Sequence, residues 1–211
     1  MNKEIPSVPL WAKKPFYISL ILTIIIFILL KSYVFVIYSI RGDSMNPTLH
    51  RGDYIVISKL AYEFHGIHRF DIVLFNSSKG PKTYVKRIIG LPGESISYIN
   101  DNLYVNGKII NEGFIKDEKQ NPHKFKPTSS LPEVDTHSMD QQQLTDYKQY
   151  QNEQNSPYYT ANFNLKELVN KSHIPDGYVF VLGDNRPISN DSRYLDIGLV
   201  PIKNIIGKQI F

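Results

Sequence analysis

From Phe16 to Ile40 the chain reads FYISLILTIIIFILLKSYVFVIYSI, with Lys31 the only formally charged residue in the run. An α-helix rises about 1.5 Å per residue, so about 20 apolar residues match the hydrocarbon thickness of a bilayer. The stretch from Phe16 to Val36 meets that length if Lys31 extends its amine along its stem toward the headgroups. A cleaved secretory leader would have an apolar core of about 7–15 residues, followed by small residues at the cleavage point. Here bulky Tyr33, Val34, Phe35 and Val36 occupy that place. A helix buried in an ordinary core would not need so long a stretch without a polar face. The run therefore predicts an uncleaved transmembrane helix over residues 16–36. Lys3, Lys13 and Lys14 precede it, against Glu4 alone. By the positive-inside rule residues 1–15 lie in the cytoplasm and the rest of the chain outside the cell membrane. No second apolar run of spanning length follows, so the expected topology is single-pass.

Beyond the span the pattern changes to short runs rich in Val, Ile and aromatic residues, separated by turns. Tyr54 to Ser58, Asp71 to Phe75, Thr83 to Ile89, Ser95 to Asn100 and Asn102 to Val105 read as strands. Asn106-Gly107 is a two-residue hairpin signal ahead of Lys108 to Ile110. Tyr178 to Leu182 and Asn204 to Phe211 complete a mainly β domain made of residues 37–110 and 174–211. Between them, residues 111–173 turn polar, with QQQLTDYKQYQNEQN the extreme. That segment is expected to be an exposed insertion or cap with little core of its own, with Leu165 to Val169 a short helix or strand.

Composition narrows the chemistry. The net charge of +4 is spread over scattered Lys and Arg, without the basic stripe that nucleic acid calls for. There is no cysteine, which removes disulfides, thiolate metal sites and cysteine nucleophiles. None of the six histidines forms a ligand pair such as HExxH, and no metal or cofactor is expected.

Three segments combine turn-formers with reactive side chains. In Ser44-Met-Asn-Pro-Thr48, Pro47 keeps Asn46 out of helical geometry and Gly42 permits a tight approach before the serine. Ser44 would sit at a bend with its amide pointing outward, as suits a nucleophile whose own N–H stabilises an oxyanion. In Tyr84-Val-Lys-Arg-Ile-Ile-Gly90 side chains alternate, so Lys86 shares a face with Tyr84 and Ile88 while Val85 and Arg87 take the other. A lysine partly buried there would have its pKa lowered toward the range of a general base. The third segment, GDNRPISNDSR from Gly183 to Arg193, follows the apolar strand YVFVL as a tight polar turn that an Asp191–Arg193 ion pair could pin.

Taken in order behind one N-terminal span, SMNPT, YVKRIIGLPGE and GDNRPISNDSR resemble the type I signal peptidases, in the single-span branch typical of Gram-positive bacteria. The resemblance runs from the anchor to the end of the chain, the insertion excepted. It implies a mainly β, membrane-bound serine endopeptidase that works by a Ser/Lys dyad without a cofactor. Such an enzyme removes signal peptides with small residues at −1 and −3 from exported preproteins. Carried over residue by residue, Ser44 corresponds to the nucleophile and Lys86 to the general base. Ser189 corresponds to the hydroxyl that orients the lysine, Asp191 and Arg193 to the supporting ion pair, and Asp184 to a structural member of the same motif. Tyr38, Ile40, Met45, Tyr84 and Val85 would line the pockets for the small side chains. The implied partners are signal peptides, the lipid bilayer and the export translocon. One departure stands at Gly42, where some relatives carry a hydroxyl that donates to the oxyanion. The alternative reading is a catalytically silent relative that serves as scaffold or assembly factor for surface structures.

Overall fold

The apolar run folds as one 21-residue helix, α1 (Lys14–Val34), and its described side chains from Ile18 to Ile26 are exposed. This computed structural model describes residues 14–122 and 136–211, without the side chains of Lys14, Phe16, Phe27 to Ser32 and Phe64. Most of the expected cytoplasmic segment (1–13), and residues 123–135 of the expected insertion, lie outside the described residues. Counted over the described residues alone, no helix is long and apolar enough to cross a membrane. The helix also ends two residues before Val36. Phe35–Ser39 forms strand β1, which pairs antiparallel with β2 (Tyr54–Ser58), Phe35 opposite Ser58 and Ser39 opposite Tyr54. Aromatic and β-branched side chains favour the pleated form once a partner strand takes up the backbone hydrogen bonds.

After the short helix α2 (Ala61–Phe64) come β3 (Ile72–Asn76) and β4 (Thr83–Gly90). Then β5 (Ile96–Ile99), β6 (Asn102–Val105) and β7 (Lys108–Ile110) form a meander. Its second turn is built by Asn106 and Gly107, both at positive φ (50° and 76°), as the Asn-Gly pair requires. Helices α3 (Lys116–Gln120) and α4 (Gln141–Asn155), strand β8 (Phe163–Asn164) and helix α5 (Leu165–Val169) follow. The chain closes with β9 (Tyr178–Leu182), β10 (Val200–Pro201) and β11 (Ile205–Gln209).

The strands form two antiparallel sheets, seven-stranded in the order β1-β2-β11-β3-β4-β9-β10 and four-stranded in the order β7-β6-β5-β8. The mainly β architecture expected from the strand pattern is present. In β4 the alternation places Val85 with Ile40, Met45 and Leu74, and Tyr84 and Ile88 with Val73, Phe75 and Val181. A third cluster joins β9 to the small sheet through Ile89, Ile96, Tyr98, Phe163, Leu165 and Phe180.

Two of those residues, Phe163 and Leu165, come from the polar segment, and Ile115, Tyr159 and Ala161 of the same segment are also buried. That stretch thus contributes core as well as surface. Asp101, in the β5–β6 turn, accepts from the Tyr159 and Thr160 amides and fastens this chain to the small sheet.

Candidate active site

Ser44 lies in the loop between β1 and β2, whose neck is closed by Ile40 N–H to Asp53 O and Gly52 N–H to Ile40 O, both 2.8 Å. Its neighbour Met45 (2% exposed) and Leu49 are driven into the core beside Ile55 and Ile57, which fixes the backbone on either side of the serine. The Asn46–Pro47 peptide is cis. From the other side Asn185 clamps the loop: its N–H donates to Ser44 O (3.1 Å) and its Nδ2 to Asp43 O (3.0 Å). The Ser44 N–H has no acceptor among the described residues and remains available to an oxyanion.

Lys86 projects from β4, is 3% exposed, and its Nζ donates to Ser44 Oγ across 2.6 Å. Burial, the dominant influence, lowers its pKa from 10.5 to about 8; Asp191 opposes this, Arg193 adds to it and Asp184 opposes it. When the amine is neutral the same contact can reverse, the hydroxyl donating to nitrogen, which is the direction proton abstraction needs.

Behind the pair, the loop after β9 is held by buried ion pairs. Arg193 grips Asp191 through Nε (2.8 Å) and Nη2 (2.9 Å), and Asp191 Oδ2 accepts the Gly183 N–H (3.0 Å). Burial works against the Asp191 carboxylate, but Arg193 and the Gly183 amide outweigh it and keep its pKa below the ordinary value. Gly183 can be nothing larger: a Cβ there would collide with Ser189 Oγ and with the Ser44 carbonyl. Asp184 binds Arg87 at Nε (2.9 Å) and Nη2 (2.6 Å) and also accepts from Thr48 Oγ1. One carboxylate therefore joins the strand that carries Lys86, the loop that carries Ser44, and the polar turn.

Every residue expected for the small side-chain pockets is found in one place. Tyr38, Ile40, Met45, Tyr84 and Val85 line a cleft of about 350 Å³ together with Ser44 and Lys86. Ser189 differs from expectation. It is buried (2% exposed), but its Oγ makes no hydrogen bond, so no bond joins it to Lys86, and it lines an adjoining cavity instead. Among the described residues no group of His, Asp and Glu could hold a metal ion.

Three contributors escaped the sequence reading. Asn185 could have been suspected, because it sits inside GDNR. Glu112 pairs with the fully buried Arg186 (2.6 Å), and Glu153 Oε2 lies 2.7 Å from Arg193 Nη1. Both glutamates come from the polar segment, with no local motif to mark them.

Comparison with known proteins finds relatives along most of the chain. Residues 13–211 match the family described as "Signal peptidase, peptidase S26". The chain is 39% identical to signal peptidase I of Bacillus caldolyticus over 182 residues, covering 86% of this chain and 81% of that protein. It is 37% identical to signal peptidase I V of Bacillus subtilis (strain 168) over 197 residues, covering 92% and 95%. Signal peptidase IB of Staphylococcus aureus (strain Mu50) is 33% identical, covering 92% and 85%. The crystal structure of a signal peptidase I from Enterococcus faecalis V583 is 33% identical, covers 68% of this chain and 97% of its own, and superposes with a TM-score of 0.48.

Proposed function

This chain belongs to the signal peptidase family, peptidase S26, and from that premise we propose that it cleaves signal peptides from exported preproteins by a Ser44/Lys86 dyad. The observation that carries the dyad is the 2.6 Å contact between Lys86 Nζ and Ser44 Oγ at a buried amine whose pKa is lowered to about 8. The membership makes the protein a serine peptidase; the residue roles are this proposal's own.

In the proposed reaction neutral Lys86 takes the Ser44 proton as Oγ attacks the scissile carbonyl, and the developing oxyanion is met by the Ser44 N–H. The lysine ammonium then returns the proton to the leaving amine, releasing the mature chain and leaving an acyl group on Ser44. A water deprotonated by Lys86 hydrolyses that ester. No histidine is required, because a desolvated amine fills the base role in this form of the triad logic. Asp191, Arg193 and Asp184 act as supports that hold the loop against Ser44 and Lys86. Ser189 stands beside them with a hydroxyl free to turn toward the amine. The walls formed by Tyr38, Ile40, Met45, Tyr84 and Val85 suit small side chains at −1 and −3, since bulkier ones would meet the packed floor.

The proposal includes an anchor. The sequence from Phe16 to Val34 carries one charge in 19 residues, and a helix of that length rises about 29 Å, close to the hydrocarbon thickness of a bilayer. With residues 1–15 cytoplasmic, the site a few residues past the helix would work at the outer membrane surface, where signal peptides emerge from the translocon. Residues 37–110 and 174–211 are proposed as the catalytic domain, with 111–173 as its cap. Cleavage of a lipid-embedded Ala-x-Ala signal peptide by wild type, Ser44→Ala and Lys86→Ala tests the dyad. Both variants are expected to lose at least about 1,000-fold in kcat/KM; equal cleavage by all three would reject it.

A further inference from the structure

Arg193 spans two carboxylates. Its Nε and Nη2 go to Asp191 (2.8 and 2.9 Å), and its Nη1 lies 2.7 Å from Glu153 Oε2 on helix α4. All three side chains are buried, Glu153 at 1% exposed. On the other side Asp191 and Arg193 act on the charge of Lys86, Asp191 favouring the ammonium and Arg193 disfavouring it. Asp184 also favours the ammonium, and Ser44 Oγ is the hydrogen-bond partner of the amine. Around Glu153 stand Arg193, Asp191 and Tyr194 from the loop after β9, the Ala161 N–H from the chain before β8, and Gln149 from its own helix. Gln149 Nε2 donates to Glu153 Oε1 across 2.7 Å. Glu153 does not line the cleft with Ser44 and Lys86.

The charges do not cancel without Lys86. Asp184 is matched by Arg87 (2.6 Å) and Glu112 by Arg186 (2.6 Å), while Lys119 reaches Glu112 from the partly exposed side. Arg193 is matched by Asp191, so Glu153 brings a further negative charge to the cluster behind the dyad. The positive charge that balances it there is the Lys86 ammonium.

We propose that Glu153 is a positioning residue for the reaction: acting through Arg193, it supplies the counter-charge for the ammonium that forms when Lys86 takes the Ser44 proton. The inference rests on the proposed dyad and extends it to the polar cap, whose helix α4 becomes part of the catalytic unit. Removing the carboxylate leaves the positive charge of Arg193 less compensated. The ammonium is then less favourable, the pKa of Lys86 falls further, and the amine is a weaker base.

The test measures kcat and KM against pH for the full-length protein in detergent, on one signal peptide. In Glu153→Gln the ascending limb is expected to move to lower pH by about 0.5 unit. Its upper limit in kcat is expected to fall about 3-fold with KM unchanged. Glu153→Met, similar in volume and uncharged, is read in the same way should Glu153→Gln not fold. Glu153→Asp keeps the charge and is expected to keep the wild-type limb. A limb that stays in place in the uncharged variants overturns the inference and leaves the dyad standing. So does a limb that moves equally in Glu153→Asp, which would trace the shift to disturbed packing rather than charge. A wild type without an ascending limb near pH 8 overturns the dyad, and this inference with it.

Discussion

Burying Lys86 beside Ser44 brings its pKa from 10.5 to about 8, and the shift that would suit the proposed base works against the fold. Below pH about 8 the amine is protonated in folded and unfolded chains alike, and the full cost of a buried charge is present. Between pH about 8 and 10.5 the unfolded chain binds more protons than the folded one, so stability rises with pH. At about 1.4 kcal/mol per unit, the cost near pH 7 is on the order of 3 kcal/mol. Lys86→Met, similar in volume and uncharged, is thus expected to raise the thermal midpoint at pH 7 by several degrees while abolishing cleavage. A less stable Lys86→Met protein at pH 7 would contradict the buried-amine account. Ser44 and Lys86, the proposed nucleophile and base, were singled out in the sequence by the order of three motifs that resembles the signal peptidases, not by either bend or strand alone. Their contact was not legible there, since 42 positions separate them and the alignment depends on β4 and the Ser44 loop sharing one core. The Ser189 hydroxyl, expected to orient the lysine, makes no hydrogen bond and lies against Gly183.

Strands were the readable elements. Alternation in TYVKRII and the Asn-Gly turn carry their geometry in adjacent residues, and both appear as expected. The helix end at Val34 was less readable, because hydropathy does not distinguish the last turn of an apolar helix from the strand that follows; pairing with β2 does. Helix α4 was the hardest case. QQQLTDYKQYQNEQN offers no apolar stripe, and what holds it is polar and remote in sequence. Asp140 and Gln143 form a capping box at its start, Gln154 Nε2 donates to Pro187 O (2.9 Å), and Glu153 meets Arg193 in the core. Burial raises the pKa of Glu153 despite Arg193, so this element is docked through a charge that costs desolvation. Arg193→Ala would leave the Asp191 and Glu153 carboxylates buried without their guanidinium, and is expected to lower unfolding free energy by about 3–5 kcal/mol. Glu153→Gln is expected to cost less, because Arg193 keeps Asp191. Denaturant melts decide the order, and a larger loss for Glu153→Gln would mean that α4, not the polar turn, depends most on this network.

At the scale of the whole molecule, one sheet order brings β4 between β3 and β9, and this sets Lys86, the GDNR turn and the Ser44 loop around one cleft. Helix α1, the proposed anchor, and the Ser44 loop are joined through β1, so a protein held in the membrane by α1 would keep its cleft near the lipid surface. The absence of cysteine makes the topology simple to test. Single cysteines at Asn2 and at the exposed Lys108 are expected to differ in intact cells: Lys108→Cys reacts with a membrane-impermeant maleimide, and Asn2→Cys reacts only after lysis. The reverse pattern would invert the proposed orientation. The central claim, that a buried lysine is the base for Ser44, is tested most directly by the pH dependence of kcat/KM for the wild-type protein on one signal peptide. The account predicts an ascending limb with an apparent pKa of about 8, where neutral Lys86 becomes populated. A profile flat from about pH 6 to 9, or one still rising through about 10.5 as for an unperturbed lysine, would contradict it.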